Sequence, residues 1–358
     1  MSITPFGIIG GGWRAEFFLR IAAELPERFQ VAGIVVRSEE KGRELEQQWH
    51  VPTFRTIQDM LRRTAPAFVV VSVPRTIAPE IMLELAAAGV PALCETPPAD
   101  RLEDLVSLYQ AVGGKAKIQI AEQHPYQPDH AARLEVVRSG KLGKVSLAEV
   151  AVAHDYHGLV LIRRFLDIGF ENAVIRGQSF TSPIVEGRGR AGGPESYRLV
   201  DSEQTIATLD FGGKLGVYDF TGDLYFSWIR SRQVLVRGDH GEINNTDVRY
   251  LQDYRTPVHT ELRRVHAGHG GDLEGHHLKA VLCGDTYVYR NEFIPGRLSD
   301  DEIAVAACLA RMAEYVDGGP DFYSLAEACQ DHYLGLMIQK AVKSGEAVTT
   351  ETQCWAQS

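Results

Sequence analysis

A glycine-rich turn near the N-terminus is the feature that most restricts how this chain can fold. The segment Gly10-Gly11-Gly12-Trp13-Arg14-Ala15 has the spacing G-x-G-x-x-A and lies between an apolar run, Phe6–Ile9, and a stretch of helical character. In such a turn the first glycine permits a tight reversal, the second lets the backbone approach a pyrophosphate, and the small alanine permits close packing of helix on sheet. The helix N-terminus adds unpaired N–H groups and partial positive charge. We expect a dinucleotide site that includes the following residues: Gly10, Gly12, Trp13, Arg14 and Ala15. A purely structural glycine turn is the alternative.

The first third of the chain alternates short apolar runs with amphipathic stretches of helical length, which is typical of βαβ units and a parallel sheet. We predict strands over Phe6–Ile9, Val31–Val36, Ala67–Val73, Pro91–Cys94 and Ala116–Ala121. Val73 and Pro74 end one of these strands and are expected to border the cofactor. The fold class is therefore α/β, with a doubly wound parallel sheet at the N-terminus.

Helix ends in this region carry local signals. Thr56 with Asp59 and Asp100 with Glu103 have the spacing of N-terminal caps. Gly89 follows the apolar stretch Ile81–Ala88 and is expected to stop that helix.

Beyond Pro125 the pattern changes to strands with alternating apolar and polar residues, which predicts a largely antiparallel sheet. The predicted strands include Ser146–Ala153, Thr205–Phe211 and Val217–Phe220, and the predicted helices are Asp129–Ser139, Asp300–Val316 and Leu325–Ser344.

Composition excludes several classes of partner. The 358 residues include 37 Lys and Arg against 47 Asp and Glu, a net charge of -10, which disfavours a nucleic-acid surface. No apolar run approaches the roughly 18 residues that span a bilayer, so we expect a cytoplasmic protein without membrane contact. The five cysteines form no CxxC pair, and the histidines at 266, 269, 276 and 277 match no metal-ligand spacing, so no metal site is expected.

The residues after the second strand bear on cofactor choice. An acidic residue there would hydrogen-bond the adenosine ribose of NAD, but the chain has Arg37 and Ser38. Arg37 can pair with a 2′-phosphate and Ser38 can donate to it, which favours NADP over NAD. The alternatives are a solvated arginine and a serine that caps the next helix.

Three further segments, together with the glycine turn, give the chain a resemblance to the Gfo/Idh/MocA family of oxidoreductases. They are Cys94-Glu95-Thr96-Pro97, Ser139-Gly140-Lys141-Leu142-Gly143-Lys144-Val145 and Val236-Arg237-Gly238-Asp239-His240-Gly241. The resemblance implies a Rossmann domain over residues 1–124. It also implies a C-terminal α/β domain over residues 125–358, with a large, mostly antiparallel open sheet for substrate binding and oligomerisation. The cleft between them would bring a nicotinamide to a small-molecule substrate, and homo-oligomers are expected.

The chain differs from this family at two positions where the resemblance implies catalytic residues. The resemblance implies a lysine in the E-K-P segment and an Asp four residues before a His, but the lysine position is Thr96 and the Asp position is Ala153. His157 matches the family histidine. The pKa of a threonine hydroxyl lies far outside the range useful for acid–base catalysis, so Glu95 and Thr96 are expected only to position nicotinamide and substrate.

Replacement groups are expected in two segments, residues 122–126 and 154–157. His157 is the leading catalytic candidate, with Asp155, Tyr156 and His124 as further candidates and Tyr126 as a positioning residue. In extended backbone Asp155 and His157 would share a face, so the carboxylate could orient the imidazole. Structural alternatives are a helix cap for Asp155, a half-buried aromatic for Tyr156 and a structural histidine at 157.

The leading functional hypothesis is an NADP-dependent oxidoreductase that transfers a hydride between nicotinamide and a carbohydrate-like or related hydroxyl or keto compound, with NAD as a possible cofactor. The alternative is a non-catalytic nucleotide-binding sensor or regulator that has lost the catalytic lysine. A reductase that needs little side-chain proton chemistry is a third reading.

Overall fold

The N-terminal part of the chain forms a parallel sheet covered by helices. The computed structural model describes residues 3–189 and 192–357. Its first elements are β1 (Thr4–Ile9), α1 (Ala15–Glu24), β2 (Phe29–Val35), α2 (Glu39–Trp49), β3 (Thr53–Phe54), α3 (Ile57–Thr64), β4 (Phe68–Val71), α4 (Ala78–Ala87), β5 (Ala92–Cys94), α5 (Leu102–Val112) and β6 (Ile118–Ile120). Within the described residues the sheet order is β3-β2-β1-β4-β5-β6, with every pairing parallel. This is the strand order of a Rossmann fold.

The C-terminal part forms a second, larger sheet. Its elements are a 3-10 turn (His124–Tyr126), α6 (Pro128–Arg138), β7 (Val145–Ala151), α7 (Asp155–Leu166), β8 (Val174–Val185), β9 (Leu199–Asp210), β10 (Leu215–Thr221), a 3-10 turn (Gly222–Tyr225), β11 (Gln233–Gly238), β12 (Gly241–Asn244), β13 (Asp247–Asp253), β14 (Thr256–His266), β15 (Leu278–Cys283), β16 (Thr286–Arg290), α8 (Asp300–Val316), α9 (Leu325–Ser344), β17 (Val348–Thr349) and a 3-10 turn (Cys354–Gln357). In the described ranges its order is β16-β15-β14-β13-β12-β11-β7-β10-β9-β8-β17. Only the β7–β10 pairing is parallel there, which confirms a mostly antiparallel sheet.

The predicted elements are present, with ends displaced by a few residues, except that β9 begins six residues before the predicted Thr205. Thr56 caps α3 through Asp59 N–H, and Gly89 follows α4 with a φ of +68°, as predicted. The predicted cap by Asp100 is wrong. The residue before α5 is Arg101, and the Asp100 carboxylate instead pairs with Arg75, 2.8 Å away. An exposed arginine is a stronger partner for this carboxylate than the backbone N–H groups of α5.

The end of the chain returns to the first domain and covers its edge strand. Ile120 N–H in β6 donates to the carbonyl of Tyr323, and the side chain of Gln119 accepts from the N–H groups of Phe322 and Tyr323. Helices α8 and α9 pack on both sheets. The last strand of the parallel sheet therefore obtains its outer hydrogen bonds from residues some 200 positions later.

Helix α7 is held by a buried ion pair. The Arg163 guanidinium on α7 lies 2.9 Å from the Asp331 carboxylate on α9, with side chains 4% and 0% exposed. The Tyr323 hydroxyl donates to the same carboxylate at 2.7 Å. Because Arg163 lies in the last turn of α7, this pair anchors the C-terminal end of the helix against α9.

No helix in the described ranges is long and apolar enough to cross a membrane.

Removal of the buried cation is expected to destabilise the protein far more than removal of its neighbour. Arg163→Met leaves the Asp331 carboxylate buried without its ion pair, at a cost of roughly 3 kcal/mol of unfolding free energy. Arg164→Met breaks the partly exposed pair with Glu327 and should cost less than about 1 kcal/mol. Urea unfolding followed by circular dichroism measures both, and equal losses would contradict the assignment.

Candidate active site

The glycine turn has the shape of a dinucleotide cradle. Gly10 has a φ of +115°, and a Cβ at this residue would lie 2.0 Å from the carbonyl oxygen of Ser72. A Cβ at Gly12 would meet nothing within 4 Å, so the space above it is open. Helix α1 begins at Ala15 without a side-chain cap, which leaves its first N–H groups for an anion. Val73 and Pro74 follow β4 beside this turn. The open space at Gly12 and the uncapped start of α1 together fit a pyrophosphate.

Arg14 extends from the turn towards the end of β5. Its Nε donates to Glu95 Oε1 at 2.8 Å and its Nη2 donates to Gln123 Oε1 at 3.1 Å. Burial raises the pKa of Glu95, and the Arg14 guanidinium opposes that rise. Trp13 is 55% exposed beside Phe17. The turn is thus tied to the strand end that carries Glu95 and Thr96.

The residues that bear on cofactor choice lie at the surface after β2. Arg37 and Ser38 are both exposed, and Ser38 Oγ accepts from the N–H of Lys41 as the N-terminal cap of α2. The capping alternative for Ser38 is therefore present in the structure. The hydroxyl hydrogen of a capping serine stays free to donate elsewhere.

The centre of the site is a buried carboxylate, Glu122, that binds two histidines. Oε1 of Glu122 accepts from the backbone N–H of His124 at 3.0 Å and lies 2.9 Å from Nδ1 of the same residue. Oε2 lies 2.6 Å from Nδ1 of His157. The centroids of the two imidazoles are 4.2 Å apart, and Glu122 is 0% exposed. The end of β6, the following 3-10 turn and the first turn of α7 thus meet at one side chain.

The electrostatics of this cluster define its protonation. Burial alone raises the pKa of Glu122, but its contacts with His157 and His124 outweigh burial and hold that pKa far below its usual range. Burial lowers the pKa of His157 to about 3, although Glu122 pulls it upward. Near neutral pH, Glu122 is ionised and His157 is neutral. Since an ionised carboxylate only accepts, Nδ1 of each imidazole carries a hydrogen, and Nε2 of the neutral His157 carries a lone pair.

Aromatic and hydroxyl groups surround the two imidazoles. His154 Nδ1 lies 2.5 Å from the hydroxyl of Tyr225, and its ring lies edge-on to His157 with centroids 4.9 Å apart. The hydroxyl of Tyr156 is hydrogen-bonded to Thr96, which joins α7 to the end of β5. Burial raises the pKa values of Tyr156 and Tyr225, so both hydroxyls stay protonated.

The structure does not place Asp155 and Tyr126 where the sequence analysis expected them. Asp155 and His157 do not share an extended strand: Asp155 has a φ of 43° and α7 begins there, so that the expected pairing is wrong. The side chain of Asp155 contacts Gln339 instead. Tyr126 lies outside the cluster because its hydroxyl donates to the carbonyl of Phe322. The partner of His157 is Glu122, which the sequence analysis placed within a candidate segment but did not single out.

The same three side chains also offer metal ligands. Ligand atoms of Glu122, His124 and His157 lie within 4.8 Å of one another, and this is the one such group found in residues 3–189 and 192–357. None of its members is among the four histidines at 266, 269, 276 and 277 that the sequence analysis considered as metal ligands. A carboxylate with two imidazoles suits zinc and other first-row divalent ions.

Comparisons with known proteins agree with the Rossmann fold of the first domain. Residues 5–123 match the model of the Gfo/Idh/MocA oxidoreductase family, described as an NAD-binding Rossmann fold. No curated protein sequence matches the chain.

Solved structures resemble nearly the whole chain. An oxidoreductase from Agrobacterium radiobacter, in complex with NAD+, L-tartaric acid and magnesium, has a TM-score of 0.68 at 13% identity, over 97% of this chain and 98% of that one. Levoglucosan dehydrogenase, with NADH and levoglucosan, has a TM-score of 0.68 at 16% identity, over 97% and 99%. The WlbA dehydrogenase from Chromobacterium violaceum, with NADH and UDP-GlcNAcA, has a TM-score of 0.64 at 13% identity, over 98% and 97%. At these identities the likeness shows the fold.

The tautomers of the two histidines provide a direct check on the cluster. In the wild type, long-range 1H–15N NMR at pH 7 to 8 should show Nδ1–H for both His124 and His157. Glu122→Gln offers one acceptor and one donor in place of two acceptors, so one of the two imidazoles should change to Nε2–H. Two Nε2–H imidazoles in the wild type would contradict this arrangement.

Proposed function

Because residues 5–123 match the model of the Gfo/Idh/MocA family of oxidoreductases, we propose that the chain is a nicotinamide-dependent oxidoreductase whose proton-transfer group is the Glu122–His124–His157 cluster. The observation that carries this proposal is the ionised, buried Glu122, which holds the Nδ1 atoms of both imidazoles and leaves Nε2 of His157 as a proton acceptor beside the nucleotide cleft. The substrate is a carbohydrate-like or related hydroxyl or keto compound.

The glycine turn binds the cofactor, and the Glu122–His124–His157 cluster transfers the proton. The glycine turn and the N-terminus of α1 hold the pyrophosphate, and Glu95 and Thr96 lie where the first domain meets the second. The bound nicotinamide supplies the hydride acceptor or donor. The chain's own part is to hold the substrate carbon close to it and to exclude water.

The histidines carry the proton. During oxidation of a hydroxyl group, Nε2 of His157 accepts the proton from the substrate oxygen, and the Glu122 carboxylate stabilises the imidazolium that forms. Burial keeps His157 unprotonated in the resting site, and the adjacent Glu122 carboxylate favours its protonated form. His124 lies against the same carboxylate and can take the proton onward. This arrangement replaces the lysine position occupied by Thr96.

The similar structures favour substrates rich in hydroxyl groups. Their printed ligands are levoglucosan, L-tartaric acid and UDP-GlcNAcA, together with NAD+ or NADH. Each ligand carries a secondary hydroxyl next to another polar group. This cluster could accept the proton of such a hydroxyl during its oxidation.

We also propose a preference for NADP over NAD. Arg37 is exposed after β2 and can pair with a 2′-phosphate, and Ser38 can donate to it. Glu39 and Glu40 follow in the first turn of α2, so Arg37 has to outweigh their repulsion of the phosphate.

We further propose that copies of the chain associate through the large sheet. Its outer strands carry exposed apolar side chains, among them Phe180 on β8, 44% exposed, and Leu199 on β9, 56% exposed. Burial of such side chains favours association.

Loss of His157 should abolish turnover and spare nucleotide binding. With His157→Ala, the rate of NAD(P)H formation or consumption over a panel of sugars, polyols and hydroxy acids should fall by a factor of roughly 10² to 10⁴, because the proton acceptor is gone. Nucleotide affinity by calorimetry should stay unchanged. His240→Ala, at an exposed position outside the cluster, is the control. Wild-type protein that binds nucleotide and turns over no member of the panel would favour the sensor alternative.

The cofactor preference has its own test. Arg37→Ala should weaken NADPH binding by about one to two orders of magnitude, since it removes one charge-assisted pair with the phosphate, and should leave NADH binding nearly unchanged. Calorimetric titration of nucleotide-free protein measures both. Equal losses, or a wild type that prefers NADH, would exclude Arg37 as a 2′-phosphate ligand.

A further inference from the structure

A polar cavity of about 410 Å³ lies beside the histidine cluster. It is bounded by the first turns of α6, the start of β11 and the N-terminus of α8, and its lining includes His130, Arg133 and Arg232. The centroid of the His130 ring is 6.5 Å from that of His124. A molecule that contacts His130 in this cavity would therefore lie one imidazole away from the histidine cluster.

One wall of the cavity carries positive charge without a carboxylate partner. Arg133 is only 8% exposed, and its Nε donates to the carbonyl of Asn245 at 2.8 Å. One of its Nη atoms lies 3.1 Å from His130 Nδ1. Neither Arg133 nor Arg232 has a carboxylate within 4.0 Å in the described part of the chain, although Asp129 on the same helix opposes the fall that burial causes in the pKa of Arg133. A buried guanidinium without a directly paired carboxylate is costly, so an anionic group from outside would be stabilised here.

His130 supports this reading. It is 5% exposed, and burial and the adjacent Arg133 lower its pKa well below the usual value, so the ring is neutral. Because Arg133 donates to Nδ1, the hydrogen of His130 resides on Nε2. The wall thus consists of hydrogen-bond donors.

The lining also includes acceptors whose charge is already partly compensated. The Arg264 guanidinium lies 2.7 Å from Asp129 and 2.6 Å from Asp300. Asp301 accepts from the amide of Gln127 at 2.5 Å. Carboxylates held in this way keep free lone pairs that can accept from hydroxyl groups.

We propose that the cavity is the subsite for a polyhydroxylated acid, a sugar acid, whose carboxylate binds Arg133 and Arg232 and whose hydroxyl groups donate to Asp300 and Asp301. This inference rests on the proposed function, because it names the class of substrate that the same cleft oxidises. A neutral sugar would leave Arg133 without a counter-ion. A simple carboxylic acid would leave Asp300 and Asp301 without donors.

The experiment compares ligands that differ only in the acid group. The probes are gluconate against glucitol and glucuronate against glucose, titrated by calorimetry into the protein saturated with its oxidised nicotinamide nucleotide. Turnover is followed separately by nicotinamide absorbance. At least one acid should bind about ten times more tightly than its neutral partner, or better, because a charge-assisted contact is gained.

Variants test whether the preference for the acid arises from Arg133 and Arg232. Arg232→Gln, at an exposed position with no structural hydrogen bond in the described residues, should lower affinity for the acid about 10-fold or more and leave the neutral ligand unchanged. Arg133→Gln should do the same, with its folding checked by thermal unfolding. Arg237→Gln is the matched control, because Arg237 is also exposed, lies five residues after Arg232 in β11, and pairs with Glu242.

The outcomes are distinct from those of the proposed function. Acid-selective binding that both variants remove supports the subsite even where no hydride is transferred. Neutral ligands that bind as tightly as the acids, equal losses for both ligand types, or no binding of any of the four probes would overturn it. Turnover of neutral sugars alone would retain the oxidoreductase and refute the acid subsite.

Discussion

The geometry of the candidate site depends on one carboxylate that is buried away from water. Glu122 would be unstable as a buried ion on its own, and three hydrogen bonds from a backbone N–H and two imidazoles compensate it. The compensation also fixes the orientation of both rings. A group that is costly to bury thus becomes the element that pre-organises the candidate site.

Two carboxylates meet at the cleft and have separate environments. Glu95 is paired with the permanent cation of Arg14, whereas Glu122 has partners that can gain and lose a proton. The first pair belongs to the structure around the glycine turn, where burial raises the pKa of Glu95 and the Arg14 guanidinium opposes that rise. The imidazoles of the second can gain and lose a proton during a reaction.

The sequence predicted what is decided locally. The glycine turn, the alternation of strands and helices and the bounds of α8 and α9 follow from short-range patterns, and the structure confirms them. The pairing of Glu122 with His157 does not, because it depends on how the start of α7 packs against the end of β6, 35 residues away. The expected pairing of Asp155 with His157 was wrong for the same reason. It assumed the periodicity of a strand where α7 begins, and tertiary contacts bring Glu122, not Asp155, to His157.

The hydrogen bonds between β6 and residues 322–324 have a consequence for synthesis on the ribosome. The strands of the first domain emerge long before the segment that covers their outer edge. Throughout that interval β6 presents open donors and acceptors, a template on which another nascent chain could pair. The outer hydrogen bonds of β6 therefore form only after residues 322–324 have been synthesised, and until then the solubility of the nascent first domain depends on keeping this edge apart from other strands.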